Sequence, residues 1–320
     1  MTYKRIIYGA PSSNTPSGGV KVIYRHSEIL NGLGVSSGVW HPSDDEFQCN
    51  WFDNKVKLIK TSEMDPGGDF IILPEIWAST HTALFKNMGF KVGIYVQNCY
   101  YTHFNLDKNN NGAVHEAYQM ADIILSISQD TTKYLIDVLN VPARKIQLQR
   151  YSINSNIFRP GDKIKTITYM PRKMSDHSSR VVAILNNRLP LNGWAIKSIN
   201  NLSEQRVAEE LSRSIIFLAF SEFEGLPVPP VEAALSGNYV IGYDGQGGKE
   251  YWHEPNFTRV EQGDIQGFVN KIIKRISKID DGDIDLEEIN VGIKRLSNYF
   301  SANNEIELVN QLVDKIKSVY

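Results

Sequence analysis

Short apolar runs alternate along this chain with polar turns and with stretches of helical spacing. In the first half the runs are residues 4–8, 35–41, 55–60, 69–73, 91–96 and 122–128. Runs of this length that are apolar on both faces fit buried parallel strands. Between them, Ile23, His26, Ile29, Leu30 and Leu33 recur at helical spacing in 20–33, and Gly34 is placed to stop that helix. Further helices are predicted from about 78 to Met88 and over 129–139. Strands alternating with helices predict a doubly wound parallel sheet. Such sheets bind ligands at the carboxyl ends of their strands. That places Gly18, Glu75, Gln97, Asn98 and Ser128 near one rim. Gly18-Gly19 opens the first helix and allows backbone to approach a ligand there; a plain flexible turn is the competing reading. The pair is not the dinucleotide G-x-G-x-x-G, so a nicotinamide site is not indicated.

The pattern pauses and then resumes. Residues 146–153 lead into Asn154-Ser-Asn-Ile-Phe-Arg-Pro-Gly-Asp162, and the stretch combines turn residues with a break in periodicity, as a domain junction does. The second half predicts strands at 164–170, 181–185, 215–220 and 239–242, a loop around Trp194, and helices at 202–211, 231–236 and 269–279. A last helix over 305–319 carries Ile306, Leu308, Val309, Leu312, Val313 and Ile316. At 320 residues the chain exceeds one ordinary core and suits two domains.

The stretch 221–251 carries the most chemistry. Pro227, Pro229 and Pro230 suit a loop running into a helix's first turn, and Gly237 is placed as its C-cap. A loop between a strand end and a helix start favours anions. Two acids nevertheless stand there, Glu224 and Glu232. Carboxylates beside an anion site make sense as acceptors for hydroxyls flanking a phosphate. A diphosphate between two hydroxyl-rich rings is a nucleotide sugar.

Glu224-Gly-Leu-Pro-Val-Pro-Pro-Val-Glu232, followed by Ala-Ala-Leu-Ser-Gly237 and a strand, resembles the Glu-x7-Glu signature of retaining glycosyltransferases of the GT-B fold, closest to glycosyltransferase family 4. The resemblance implies an α/β protein with two Rossmann-like domains facing a cleft. It implies a first, acceptor-side domain over 1–160, a nucleotide-sugar-binding domain over 161–301, and a C-terminal helix, 302–320, crossing back to the first. By the same resemblance Glu224 binds donor-sugar hydroxyls and Glu232 the ribose. Arg172 and Lys173, after the strand at 164–170, are the diphosphate-gripping pair of the family; several residues usually separate the two, and here they are adjacent, so the alternatives are that both grip or that one serves while the other points away, with Arg188 a substitute. Amides near Gly225 and Leu226 complete the cradle, and Gly18, Gly19 and Gly248 approach the donor.

Many relatives hold a histidine where this chain has Gln97 and Asn98, and the aromatic run after them resembles bacterial rhamnosyltransferase-type members. Gln97, Asn98 and His103 are the acceptor-side candidates. Tyr100, Tyr101 and Phe104 either stack on a sugar face or pack the loop down.

No well-placed Asp-x-Asp stands in the first domain, so no metal and no cofactor is expected; the nucleotide sugar is a co-substrate. The acidic run 280–285 has its glycine misplaced for a calcium loop and reads as a solvated linker. A formal net charge of −2 with mixed signs gives no nucleic-acid footprint. Cys49 and Cys99 have no metal spacing and read as free thiols of a reducing cytoplasm. Neither an apolar leader nor a membrane-length run is present, leaving at most peripheral membrane contact. The expected function is metal-independent, retaining transfer of a sugar from a nucleotide-diphosphate donor to a glycan, lipid-linked or small hydroxyl acceptor. The alternatives are a nucleotide-sugar epimerase, a phosphorylase, or a silent sugar-nucleotide-binding module.

Overall fold

The computed structural model describes residues 3–43, 46–103, 111–188, 193–283 and 286–320. The chain forms two compact units, Met1–Tyr151 with Glu305–Tyr320, and Ser152–Asn304. The first contains β1 (Arg5–Gly9), α1 (Gly18–Gly32), β2 (Ser37–Trp40), β3 (Asp69–Pro74), α2 (Ala78–Asn87), β4 (Lys91–Val96), α3 (Asn111–Met120), β5 (Ile123–Ser126), α4 (Gln129–Asp137) and β6 (Ile146–Leu148). The second contains β7 (Thr166–Tyr169), α5 (Ser175–Arg188), β8 (Ala195–Ser198), α6 (Glu204–Arg213), β9 (Ile216–Glu224), α7 (Pro229–Leu235), β10 (Tyr239–Gln246), β11 (Phe257–Arg259), α8 (Ile265–Asp280) and α9 (Leu286–Tyr299). The chain then enters α10 (Ala302–Lys317) and rejoins the first unit at Glu305.

Both sheets are parallel throughout. The first runs β2-β1-β3-β4-β5-β6 and the second β11-β10-β9-β7-β8. The order reverses between β1 and β3 in one, and between β7 and β9 in the other. At such a point the loops leaving two neighbouring strands diverge to opposite faces and open a crevice.

In the first unit, Ile7, Ile71, Leu73 and Val92 fill one side of the sheet, and Ile94, Val96, Ile124 and Leu135 belong to a second buried cluster. Asp69 is fully buried and accepts from Arg5 Nε at 2.7 Å and Nη2 at 2.8 Å, a two-pronged pair that ties β1 to β3. α10 supplies Leu308, Val309, Leu312, Val313 and Ile316 as buried side chains. Its Lys315 Nζ donates to the Ile146 carbonyl at 3.0 Å. At its start Glu305, 1 % exposed, meets Arg25 Nε at 2.6 Å and stands 3.4 Å from His26 Nε2. The expectation that the last helix returns to the first unit is met.

Several elements differ from their sequence pattern. Residues 55–60 make a single parallel bridge, Leu58 to Val39, in place of a strand. Lysines at 55, 57 and 60 leave only Ile59 to bury there. Residues 181–185 are helical, not extended: Val181 and Leu185 are one helical turn apart and share the buried face of α5. Arg188 therefore ends a helix instead of following a strand. Trp194 leads directly into β8, an edge strand whose partly exposed Ala-Ile-Lys-Ser gives no apolar run. The acidic run is not simply solvated at its start, because Asp280 accepts from Trp194 Nε1 at 3.1 Å and pairs with Lys165 Nζ at 2.8 Å; Ile284 and Asp285 lie outside the described residues. Pro160 belongs to the second unit, where a Cβ added at Gly237 would stand 3.2 Å from its ring.

Candidate functional site

The reversal point of the second sheet collects the charged candidates. β9 extends past its buried stretch through Glu222 and Phe223, so Glu224 is the last residue of the strand and not a loop residue. Its carboxylate receives Lys173 Nζ at 2.5 Å; the glutamate side chain is 15 % exposed and the lysine 46 %. Lys173 stands in the turn between β7 and α5. Met174, next to it, has φ of 48°, a conformation unusual for a side-chain-bearing residue, and its carbonyl accepts from the N–H groups of His177 and Ser178. Arg172 is exposed and forms no ion pair among the described residues. The adjacent cations therefore part: Lys173 turns to Glu224 and Arg172 faces water. Arg188, at the far end of α5, is separated from this turn by the length of the helix.

The loop after β9 is fixed by the turn after β10. Gly247 packs on the Gly225 carbonyl so closely that an added Cβ would overlap it. Gln246, with φ of 71°, makes the turn and is held through its N–H by Asp244 Oδ1 at 2.9 Å. Tyr251 donates its hydroxyl to the Pro227 carbonyl at 2.8 Å, and a Cβ on Gly248 would stand 3.1 Å from the Tyr251 hydroxyl oxygen. Gly248 is thus a buried packing glycine against Tyr251. Glu250 accepts from Tyr299 at 2.7 Å.

α7 begins as its prolines predict, with Pro229 and Pro230 in the first turn. Proline carries no N–H, and the next two amides, of Val231 and Glu232, already donate to the Val228 carbonyl at 3.0 and 3.1 Å. The start of this short helix consequently has few donors to offer. Gly225 and Leu226 lie before it, in a buried loop, and Glu232 sits half-buried in the first turn.

In the first unit the reversal point brings together the loops after β1, β3 and β4. Gly18 is exposed, with nothing within 4 Å of an added Cβ. Gly19 differs: its carbonyl accepts from Gln97 Nε2 at 3.1 Å, and a Cβ there would strike Gln97 Oε1. Asn98 is buried; its N–H donates to Glu75 Oε1 at 3.0 Å and its Oδ1 accepts from Tyr100 N–H at 3.1 Å. Burial pushes the Glu75 carboxyl up to about 7, against the pull of the backbone N–H groups around it. Ser128 caps α4, accepting from Thr131 N–H at 3.1 Å.

His103 is exposed and shares its Nδ1 with Tyr134 at 3.0 Å and Thr102 at 3.1 Å. Tyr100 packs the loop down, donating to Asp130 at 2.7 Å with its ring edge-on to Tyr134. Tyr101 is 47 % exposed. Phe104 lies outside the described residues.

Met174, Gln246 and Tyr251 were not among the sequence candidates. Only Gln246 had a readable signal, a lone side chain between Gly245 and Gly247. Among the described residues no three His, Cys, Asp or Glu side chains gather as metal ligands.

Two parallel Rossmann-like units, with the last helix returned to the first, are the GT-B fold. No family model matches the sequence. The chain is 24 % identical over 239 residues to an alpha-1,6-glucosyltransferase of Actinobacillus pleuropneumoniae serotype 7, covering 72 % of this chain and 69 % of that one. Among solved structures it is similar to a sucrose-phosphate synthase of Thermosynechococcus elongatus, with TM-score 0.74, 12 % identity, and 99 % and 100 % of the two chains covered. It is equally similar to HepE of Anabaena in complex with UDP, with TM-score 0.74, 11 % identity and the same coverage.

Proposed function

We propose that this chain is a retaining glycosyltransferase, of the family 4 type, that moves a sugar from a nucleotide-diphosphate donor to a hydroxyl acceptor. The observation that carries the reading is the Lys173–Glu224 pair at the reversal point of the second sheet. A cation for phosphate and an acid for sugar hydroxyls stand side by side where an α/β sheet binds ligands. Glu224 takes the donor-sugar hydroxyls and Glu232 the ribose. Lys173 and Arg172 take the diphosphate, with the amides of Gly225 and Leu226. Charge-assisted hydrogen bonds contribute roughly 1.5–3 kcal/mol each. A cradle of this kind stands in place of a metal in this reading, and turnover should persist in a chelator.

The likeness to a glucosyltransferase and to a UDP-bound protein supports UDP-glucose as the first donor to try. The acceptor is a glycan, a lipid-linked saccharide or a small alcohol, met by Gln97, Asn98 and His103, with Gly18 and Gly19 toward the donor. Among the described residues no helix is long and apolar enough to cross a membrane, which suits a cytoplasmic enzyme with at most peripheral contact.

The test is release of nucleoside diphosphate from a panel of nucleotide sugars, with the product's anomeric configuration read by NMR. Glu224→Ala and Lys173→Ala should each lower kcat/KM by about a hundredfold or more, as loss of a preorganised charged group does. Wild-type rates in both variants, or an inverted product, would overturn the assignment.

A further inference from the structure

Lys173 and Glu224 are in direct contact. Each is the group that the donor reading assigns to a different half of one molecule. Glu224 is the more enclosed, at 15 % side-chain exposure, and Lys173 brings a positive charge to it. Both backbones are held. The positive-φ Met174 shapes the turn behind Lys173, and the Gly247–Gly225 packing pins the end of β9 behind Glu224.

Resting on the donor reading, we propose that the Lys173–Glu224 pair makes the site discriminate between a sugar-bearing nucleotide and a bare nucleoside diphosphate. A diphosphate that draws Lys173 away strips a largely enclosed carboxylate of its counter-charge and sets two anions side by side. Like charges brought together at a site cost binding energy. A donor carrying its sugar repairs this, because the sugar hydroxyls donate to the carboxylate that the lysine leaves. The bare product lacks those donors, and Glu224 reclaims Lys173 from it. The pair thus disfavours the spent nucleotide and limits product inhibition.

The experiment is isothermal titration of the whole chain with UDP, GDP, ADP and dTDP and their glucose conjugates. Whichever base binds should show the conjugate bound more tightly than the bare diphosphate. In Glu224→Gln the bare diphosphate should gain about tenfold in affinity while the conjugate does not gain. The gain must also depend on the lysine. In a Lys173→Met background, Glu224→Gln should improve diphosphate binding by much less, a non-additivity that a double-mutant cycle measures.

An unchanged or weakened diphosphate affinity in Glu224→Gln overturns the inference. So does the same gain in both backgrounds, which would show simple repulsion without competition for Lys173. Binding of none of the ligand pairs by the wild-type chain sinks the donor reading itself. Melting temperatures of the variants separate a folding defect from either result, and Glu224→Ala, read in the same two backgrounds, supplies the answer if Glu224→Gln fails to fold.

Discussion

Gly247 rests on the carbonyl of Gly225 with no room for a side chain between them. Two loops from neighbouring strands, distant in sequence, are therefore packed directly on each other. Gly247→Ala must push them apart. It should cost about 1–3 kcal/mol of stability, the usual range for overpacking a tight site. Donor affinity should fall with it, since Glu224 precedes Gly225. Chemical denaturation and donor titration check both, and an alanine variant with wild-type affinity would show that the two loops are independent.

The first unit allows a contrast between adjacent glycines. A Cβ on Gly18 enters open space, whereas one on Gly19 meets Gln97 Oε1. Gly18→Ala should be neutral or stabilise by up to about 1 kcal/mol, through helix propensity. Gly19→Ala should destabilise, and Gln97→Ala should rescue it. Urea midpoints of the three variants decide. Failure of the rescue would place the strain elsewhere than at Gln97.

How much of this could be read before the fold is clearest at Glu224 and Lys173. The acid was legible because its motif is local, one loop and one helix long. The pairing was not, because it joins residues 51 positions apart across a strand reversal (224 − 173 = 51). Apolar runs marked the buried strands well, since both their faces must be greasy. The edge strand β8 and the helix over 181–185 escaped, one for want of apolar residues and the other because Val181-Val-Ala-Ile-Leu185 is apolar enough to pass for either structure. His103 looked like chemistry and is tied to Tyr134 and Thr102.

Glu75 predicts a pH dependence of stability. Its carboxyl is raised from 4.5 to about 7 in the folded chain, chiefly by burial. The folded state therefore holds the proton more tightly than the unfolded one. Its stabilising contribution is complete below about 4.5 and is lost as pH rises through about 7. Glu75→Gln keeps an acceptor for Asn98 N–H and removes the titration. The variant should gain on the wild type between pH 5 and pH 8, as read by denaturant midpoints at about those two values. Parallel curves would show that Glu75 stays ionised throughout.

Glu305 predicts how α10 is held. Removing one member of an enclosed ion pair costs about 3–5 kcal/mol. Arg25 is 40 % exposed, which trims that figure, while Glu305 itself is fully enclosed. Glu305→Ala should loosen the start of α10, seen as faster amide hydrogen exchange over 305–313, while β7 to β11 keep their protection. Unchanged exchange in α10 would assign its seating to Leu308, Val309 and Leu312 alone.

Because α10 supplies five buried apolar side chains to a unit that otherwise ends at Tyr151, that unit is interrupted in sequence by the whole of the other. During synthesis the later-made unit can close its own sheet as soon as Asn304 has emerged from the ribosome. The earlier-made one lacks these five side chains until α10 has been synthesised. The first-made segment is therefore the last to gather all of its buried side chains, and incompletely covered apolar surface is what chaperones meet on a nascent chain.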